Sequence, residues 1–244
     1  MSNNIYLITG ASGDMGIAFI RYIYKTGDII LAQGSGELTG LFALAAELGK
    51  DIHVFDADLS TRAGTERFLA ALQETGLTPT HFLHLPALRV INARMKNFDF
   101  ERYELDMNVE VTSAILLSKW LLPQMAKAGF GRVVFMLTSY IIGVPPKNVA
   151  AYVTAKSALE GLAKSLAVEF VKNGVTVNCV SPSMVETAFL ADTSDLVVQA
   201  AAQAHPMGRN AKVGDVIPAI AFLMSEEARF ITGVNLPITG GSVF

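Results

Sequence analysis

Apolar and polar positions along the chain fall into two alternating rhythms. Short β-branched or apolar runs such as "IYLIT", "DIHVFD", "RVVFMLT" and "VTVNCVSP" are each followed by a longer stretch with helical spacing. The pattern predicts strands at 5–9, 28–33, 51–56, 81–86, 132–138, 175–182 and 233–241. It predicts helices at about 14–26, 40–49, 62–75, 101–128, 150–173 and 214–225. Strict alternation of this kind implies βαβ units, so the expected fold is α/β: a doubly wound parallel sheet of about seven strands with helices on both faces. Crossovers are right-handed by default. No linker, low-complexity tract or internal repeat interrupts the pattern, and one domain over 1–244 is expected.

Composition narrows the possible partners. With 51% hydrophobic and 17% charged residues, the chain has material for a large core and is not disordered. A net charge of −3 with scattered Lys and Arg gives no reason to expect nucleic acid. A single cysteine, Cys179, allows no intrachain disulfide and fits a reducing, cytoplasmic setting. The start "MSNNIYLITG" lacks the basic and apolar regions of a signal peptide. Apolar runs such as 133–144 are too short and too polar to span a bilayer, so no membrane association is expected. His53, His81, His84 and His205 show no metal-ligand spacing with Cys179, and no metal is expected.

Two stretches carry candidate chemistry. The first, "TGASGDMG" at 9–16, lies between the first strand and the first helix. Gly10, Gly13 and Gly16 allow a tight turn, close approach of the backbone to a phosphate, and close helix–strand packing. The helix N-terminus that follows offers free N–H groups to a pyrophosphate. The second, "AAYVTAKSAL" at 150–159, sets Tyr152 and Lys156 one helical turn apart on the same face. Such pairs are common on solvated helix faces, and spacing alone assigns them nothing.

With these pieces in order, essentially the whole chain resembles the short-chain dehydrogenase/reductase family, a Rossmann-fold family. It resembles most the classical branch that includes the 3-oxoacyl-(acyl carrier protein) reductases. The matching residues are Thr9-Gly10 with Gly16, Asp58-Leu59, Ser139, Tyr152-x-x-x-Lys156, and "NCVSPSMVET" at 178–187. The tail at 206–241 is similar to the family's usual ending. The resemblance implies a nicotinamide cofactor touching Gly10, Ser12, Gly13, Asp14, Met15, Gly16, Gly34, Ser35, Asp58, Leu59, Pro86, Pro182 and Thr187. It implies that Tyr152 donates the proton, that Lys156 holds the nicotinamide ribose, and that Ser139 hydrogen-bonds the substrate oxygen. A tyrosine titrating near pH 10 gives up its proton reluctantly, so the neighbouring ammonium is expected to lower that value.

Several positions depart from the family pattern. The middle glycine of the loop falls on Asp14, with glycine at 13 instead. The Asn-Asn-Ala-Gly after the fourth strand is "LPAL" at 85–88, and the Pro-Gly after the sixth is Pro182-Ser183. Gly10-x-x-Gly13-x-x-Gly16 and "HLPA" match the extended branch, but the chain has no residues for that branch's longer C-terminal domain. The family's fourth catalytic residue, an asparagine, has its slot at Glu110 when counted back from "LLSK" (116–119). Asn108 is the alternative, since two positions on a helix differ by about 200° and only one can face inward. The acid that selects NAD(H) in the family has its slot at Gly34, with Ser35 next and no carboxylate before Glu37. NADP(H) is therefore expected over NAD(H), with Glu37 reaching back to the ribose as the alternative.

The expected reaction is reduction of a ketone to a secondary alcohol, with a small-molecule or acyl-carrier-bound carbonyl substrate and a 3-oxoacyl thioester as the best single choice. A polyketide or sugar-linked ketone is a second reading. A non-catalytic cofactor-binding subunit is a third, and it leaves Ser139, Tyr152 and Lys156 unexplained. Residues of about 188–213 form the expected substrate lid. The resemblance also implies a homodimer or homotetramer built on the helices at 101–128 and 150–173, whose apolar residues include Trp120, Leu121, Leu122, Leu162, Leu166 and Phe170.

Overall fold

The computed structural model describes residues 4–49 and 51–244, so the first three residues of the start "MSNNIYLITG" lie outside it. The strands are β1 (Ile5–Thr9), β2 (Ile29–Gly34), β3 (Ile52–Asp56), β4 (His81–His84), β5 (Gly131–Met136), β6 (Val175–Pro182) and β7 (Asn235–Ile238). All neighbours pair in parallel, in the order β3-β2-β1-β4-β5-β6-β7. The helices are α1 (Asp14–Ile23), α2 (Thr39–Leu48), α3 (Arg62–Glu74), α4 (Phe100–Met107), α5 (Ser113–Ala128), α6 (Ala150–Phe170), α7 (Asp195–Ala204) and α8 (Val213–Leu223).

Alternate strand residues point to opposite faces, and both faces are covered, which is why the strands read as continuous apolar runs. Leu7, Leu31, Phe82, Val133 and Val177 pack with Phe68 of α3, Leu117 and Leu121 of α5 and Leu159 of α6. Ile8, Ile30, Leu83, Val134 and Val180 pack on the other face with Phe19 of α1, Leu41 of α2 and Ile217 of α8. Leu121 and Leu122, expected at an interface between copies, are fully buried in the core of this one chain. Their apolar character serves internal packing.

The doubly wound sheet is the expected one, with two differences in its helices. The helix expected at 101–128 is α4 and α5 joined by a π-helical turn, Asn108–Thr112. The segment expected only as a lid contains α7. β4 stops at His84, short of the expected end, because Pro86 has no N–H to give a ladder. The chain winds outward from β1 to β3 and then returns to β4 beside β1, opening a crevice at the carboxyl ends of those two strands.

Candidate active site

The crevice is a cleft of about 520 Å³ that runs from the glycine loop to the segment after β6. Its wall includes Gly10, Ser12, Gly13, Asp14, Met15, Gly34, Ser35, Asp58, Leu59, Pro86, Tyr152, Lys156, Pro182 and Thr187. Gly16 is not on that wall. A Cβ at Gly16 would stand 2.5 Å from the Ala11 backbone, so this glycine lets α1 pack on the loop and does not face the cleft. Gly10 has φ +69°, and a Cβ there would meet Pro86 N at 2.9 Å. Only glycine lets the first turn approach the loop after β4 this closely.

A residue with no assignment from the sequence holds this turn in place. Gln33, at the end of β2 and buried, accepts the Gly10 N–H (2.9 Å) and donates to Ala57 O (2.7 Å). The first helical residues of α1 have no side-chain cap, so their N–H groups are available to an anion. These features fit the diphosphate of a dinucleotide. Asp14 is the departure: its carboxylate sits at the first position of α1 and accepts the Ala188 N–H at 2.7 Å, tying the loop to the lid. Glu37 accepts the Thr39 N–H (2.8 Å) at the start of α2 and is not on the cleft wall.

Tyr152 and Lys156 stand on the first turns of α6 and both reach the cleft. Lys156 is 1% exposed; its Nζ donates to Met136 O (2.9 Å) and lies 5.8 Å from the centre of the Tyr152 ring. Behind it lies Glu110, wholly buried, with Oε2 3.0 Å from Lys156 Nζ. Neither Glu110 oxygen has an aligned hydrogen bond among the described residues, so the contact is an ion pair. Burial pushes the Glu110 carboxyl above the usual carboxylate range, and Lys156 pulls it back. Asn108, at the start of the π turn, is only partly buried and has no recorded contact with Lys156. Neither Glu110 nor Asn108 lines the cleft itself.

The π turn explains why Glu110 points at Lys156. A π turn widens the helix by one residue, shifts the register and frees a carbonyl. His84, at the end of β4, meets the Glu110 carbonyl through Nε2 (2.9 Å) and the Thr9 hydroxyl through Nδ1 (2.7 Å). That pattern assigns the proton to Nε2. Burial pushes His84 down to about 3, so it stays neutral and clamps β1, β4 and the π turn together.

Two residues of the site differ in placement or character from what was expected. Ser139, expected to face the crevice, is buried at the start of a short 3₁₀ turn, Ser139–Ile141, and does not line the cleft. Thr138 and Tyr140 line the cleft instead. Thr138 is extended (φ −152°, ψ 148°), and consecutive residues of an extended chain point to opposite sides. Tyr152 departs from expectation in its acidity. Burial, reinforced by the charge of Glu110, holds its phenol well above the ordinary tyrosine value, with the Thr138 side chain pulling weakly the other way. The ammonium expected to lower it is paired with Glu110, whose charge acts the other way on the phenol.

Comparison with known proteins decides the family. A family model described as enoyl-(acyl carrier protein) reductase matches residues 22–242. The acetoacetyl-CoA reductase of Allochromatium vinosum is 31% identical over 97% of this chain and 97% of its own length. The chain belongs to the short-chain dehydrogenase/reductase family. A 3-oxoacyl-(acyl carrier protein) reductase of Rickettsia bellii is 30% identical, covering 99% of this chain and 97% of its own. A short-chain dehydrogenase/reductase oxidoreductase from Burkholderia thailandensis superimposes with a TM-score of 0.84 at 26% identity, covering 99% of this chain and 93% of that one. As a member of this family the chain is an NAD(P)-dependent oxidoreductase acting on C=O and CH–OH groups, and among its relatives it is similar to the 3-oxoacyl reductases. Among the described residues no helix is long and apolar enough to cross a membrane.

Proposed function

We propose that the protein reduces a ketone to a secondary alcohol with NADPH, and that the ketone is a 3-oxoacyl thioester. The observation that carries this reading is the shared position of Thr138, Tyr152 and Lys156 on one cleft wall, with Glu110 sealed behind the ammonium. A reduced nicotinamide, when bound, supplies the hydride to the carbonyl carbon. Tyr152 holds its proton at neutral pH because burial favours the neutral phenol, and it gives that proton to the carbonyl oxygen as charge develops there. Thr138 donates a hydrogen bond to the same oxygen, the role expected of Ser139. Lys156 steadies the phenolate left on Tyr152, and Glu110 holds the ammonium in place.

The cofactor is held by the N–H groups at the start of α1 with Gly10, Ser12 and Gly13, and by Asp58, Leu59, Pro86, Pro182 and Thr187 along the cleft. Ser35 and the turn at 34–36 receive the 2′-phosphate, since Glu37, the first carboxylate to follow that turn in sequence, is engaged with the start of α2. Apolar Leu88, Val90, Phe189 and Leu190 at the lid end of the cleft suit an acyl chain. Exposed Ile115 on α5 and Val168 on α6, together with Phe222, Phe230 and Val234 near β7, support assembly with further copies of the chain. The buried thiol of Cys179 suits a reducing, cytoplasmic setting.

A panel of 3-oxoacyl thioesters, cyclic ketones and sugar-linked ketones, assayed by NADPH absorbance, tests the reading. Thioesters turned over with the highest kcat/KM support it. Turnover confined to the other ketones replaces the substrate class.

A further inference from the structure

The wall of the main cleft carries four charged side chains among the described residues: Asp14, Asp58, Arg89 and Lys156. Lys156 is sealed and paired with Glu110, which leaves Arg89 as the one cation on that wall open to solvent. Arg89 lies in the loop after β4, and its side chain forms an ion pair with Asp192 of the lid, Nη1 to Oδ2 at 2.7 Å. The pair joins the cleft wall at Arg89 to the lid segment at Asp192. The partners are 50% and 70% exposed, and an ion pair so exposed is weak and readily exchanged.

The backbone beneath Arg89 is fixed even though its side chain can change partner. Arg102 donates from Nη2 to Arg89 O at 2.6 Å and is itself held by Asp106 at 3.2 Å. Arg89 and Tyr152 also share the lining of a second, small cavity beside the cleft, so the guanidinium and the candidate proton donor border the same space twice. Around Arg89 the wall is apolar, with Leu88, Val90, Phe189 and Leu190. A substrate lying there has one strong polar contact available besides the carbonyl site.

We propose that Arg89 is the anchor for an anionic oxygen group of the substrate, a carboxylate or a phosphate, which takes the place of Asp192. This inference rests on the ketone-reductase reading above. A guanidinium matches carboxylate and phosphate oxygens with paired N–H donors, so the exchange preserves the geometry now satisfied by Asp192. Asp192 keeps the guanidinium aimed across the cleft, and its displacement releases the lid from the loop after β4.

The test compares wild type, Arg89→Met and Asp192→Asn with three ketones: acetoacetate, which offers a carboxylate; acetoacetyl-CoA, which offers phosphates; and neutral ethyl acetoacetate. Arg89→Met is expected to raise KM ~10-fold or more for at least one anionic ketone, the loss of a charge-assisted contact, and to leave the neutral ester within ~3-fold. Asp192→Asn is expected to lower KM for that same anion, because its competitor is gone. The anion that responds identifies carboxylate or phosphate as the group bound. Equal shifts for neutral and anionic ketones, or no shift for any, overturn the proposal. Should wild type turn over none of the three, the reductase reading fails for this substrate class, and calorimetric titration with acetoacetate and inorganic phosphate still reads the anchor. Binding heat that disappears in Arg89→Met supports it, and no heat with wild type or equal heat in both proteins overturns it.

Discussion

Glu110 Oε2 lies 3.0 Å from Lys156 Nζ, and neither side chain is more than 1% exposed. A sealed ion pair of this kind is poor evidence for stability, because desolvation offsets the attraction, but losing one partner leaves a buried charge alone. Glu110→Gln keeps the shape and removes the countercharge, so kcat is expected to fall ~10–100-fold. The alkaline limb of the pH–kcat profile is expected to move to lower pH, since the Tyr152 phenol loses the Glu110 charge that helps to raise it. Asn108→Ala is expected to stay within ~3-fold of wild type, because Asn108 is only partly buried and lies off the cleft wall. The reverse order of damage would show that the inward position has been misassigned.

Thr138 and Ser139 make opposite predictions. Thr138→Val is isosteric and deletes the hydroxyl beside Tyr152, so kcat/KM should fall ~10²–10³-fold, as for loss of an oxyanion donor. Ser139→Ala should cost less than ~3-fold in kcat/KM, with at most a small change in stability. Steady-state kinetics on the two variants separates them, and a larger loss in Ser139→Ala would return the role to the serine.

How these two residues read from sequence marks the limit of that reading. The sheet was legible because buried parallel strands announce themselves as apolar runs between helical repeats; β6 even has the expected bounds, 175–182. Counting along a helix left Glu110 and Asn108 as alternatives, and of the two it is Glu110 that meets Lys156. The choice between Thr138 and Ser139 was not legible, because two adjacent hydroxyls precede the irregular segment 142–149, whose length sets no register. The π turn is invisible in composition, and the His84 that meets its Glu110 carbonyl lies 26 residues away in sequence. The Arg89–Asp192 contact joins positions 103 residues apart, and no local pattern encodes it.

Cofactor choice can be reversed at Ser35. This residue is exposed at the end of β2, whereas a side chain at Gly34 would collide with Leu38 and Ser12 at under 3 Å. Ser35→Asp introduces a carboxylate where the 2′-phosphate is expected, and the ratio of kcat/KM for NADPH over NADH should fall at least ~10-fold. Wild type that prefers NADH by more than ~10-fold, a difference of about 1.4 kcal/mol, would contradict the assignment.

Acid should destabilise the fold through two buried histidines. Burial pushes His81 and His84 down to about 3, against about 6.5 in an unfolded chain. Between those values the unfolded chain takes up protons that the folded one refuses. Their contribution is thus complete above about pH 6.5 and is lost as pH falls. Each histidine should add a slope of about 1.4 kcal/mol per pH unit, about 2.7 for the pair. Glu110, raised by burial, contributes the opposite slope above the ordinary glutamate range. Urea unfolding between about pH 6 and 5 measures the total, and His81→Phe, which keeps a ring against Tyr6 and Phe130, should remove about half of the histidine part.

The phenol of Tyr152 is the proton source on which the proposed reduction depends. Tyr152→Phe removes one hydroxyl and leaves the ring against Tyr140, so folding and cofactor affinity should be unchanged. The measurement is kcat for a 3-oxoacyl thioester, followed by NADPH absorbance, alongside NADPH binding by fluorescence. The predicted result is a fall of ~10²–10⁴-fold in kcat, as for loss of a positioned proton donor, with binding intact. Turnover within a few-fold of wild type would contradict the assignment of Tyr152 as the proton donor.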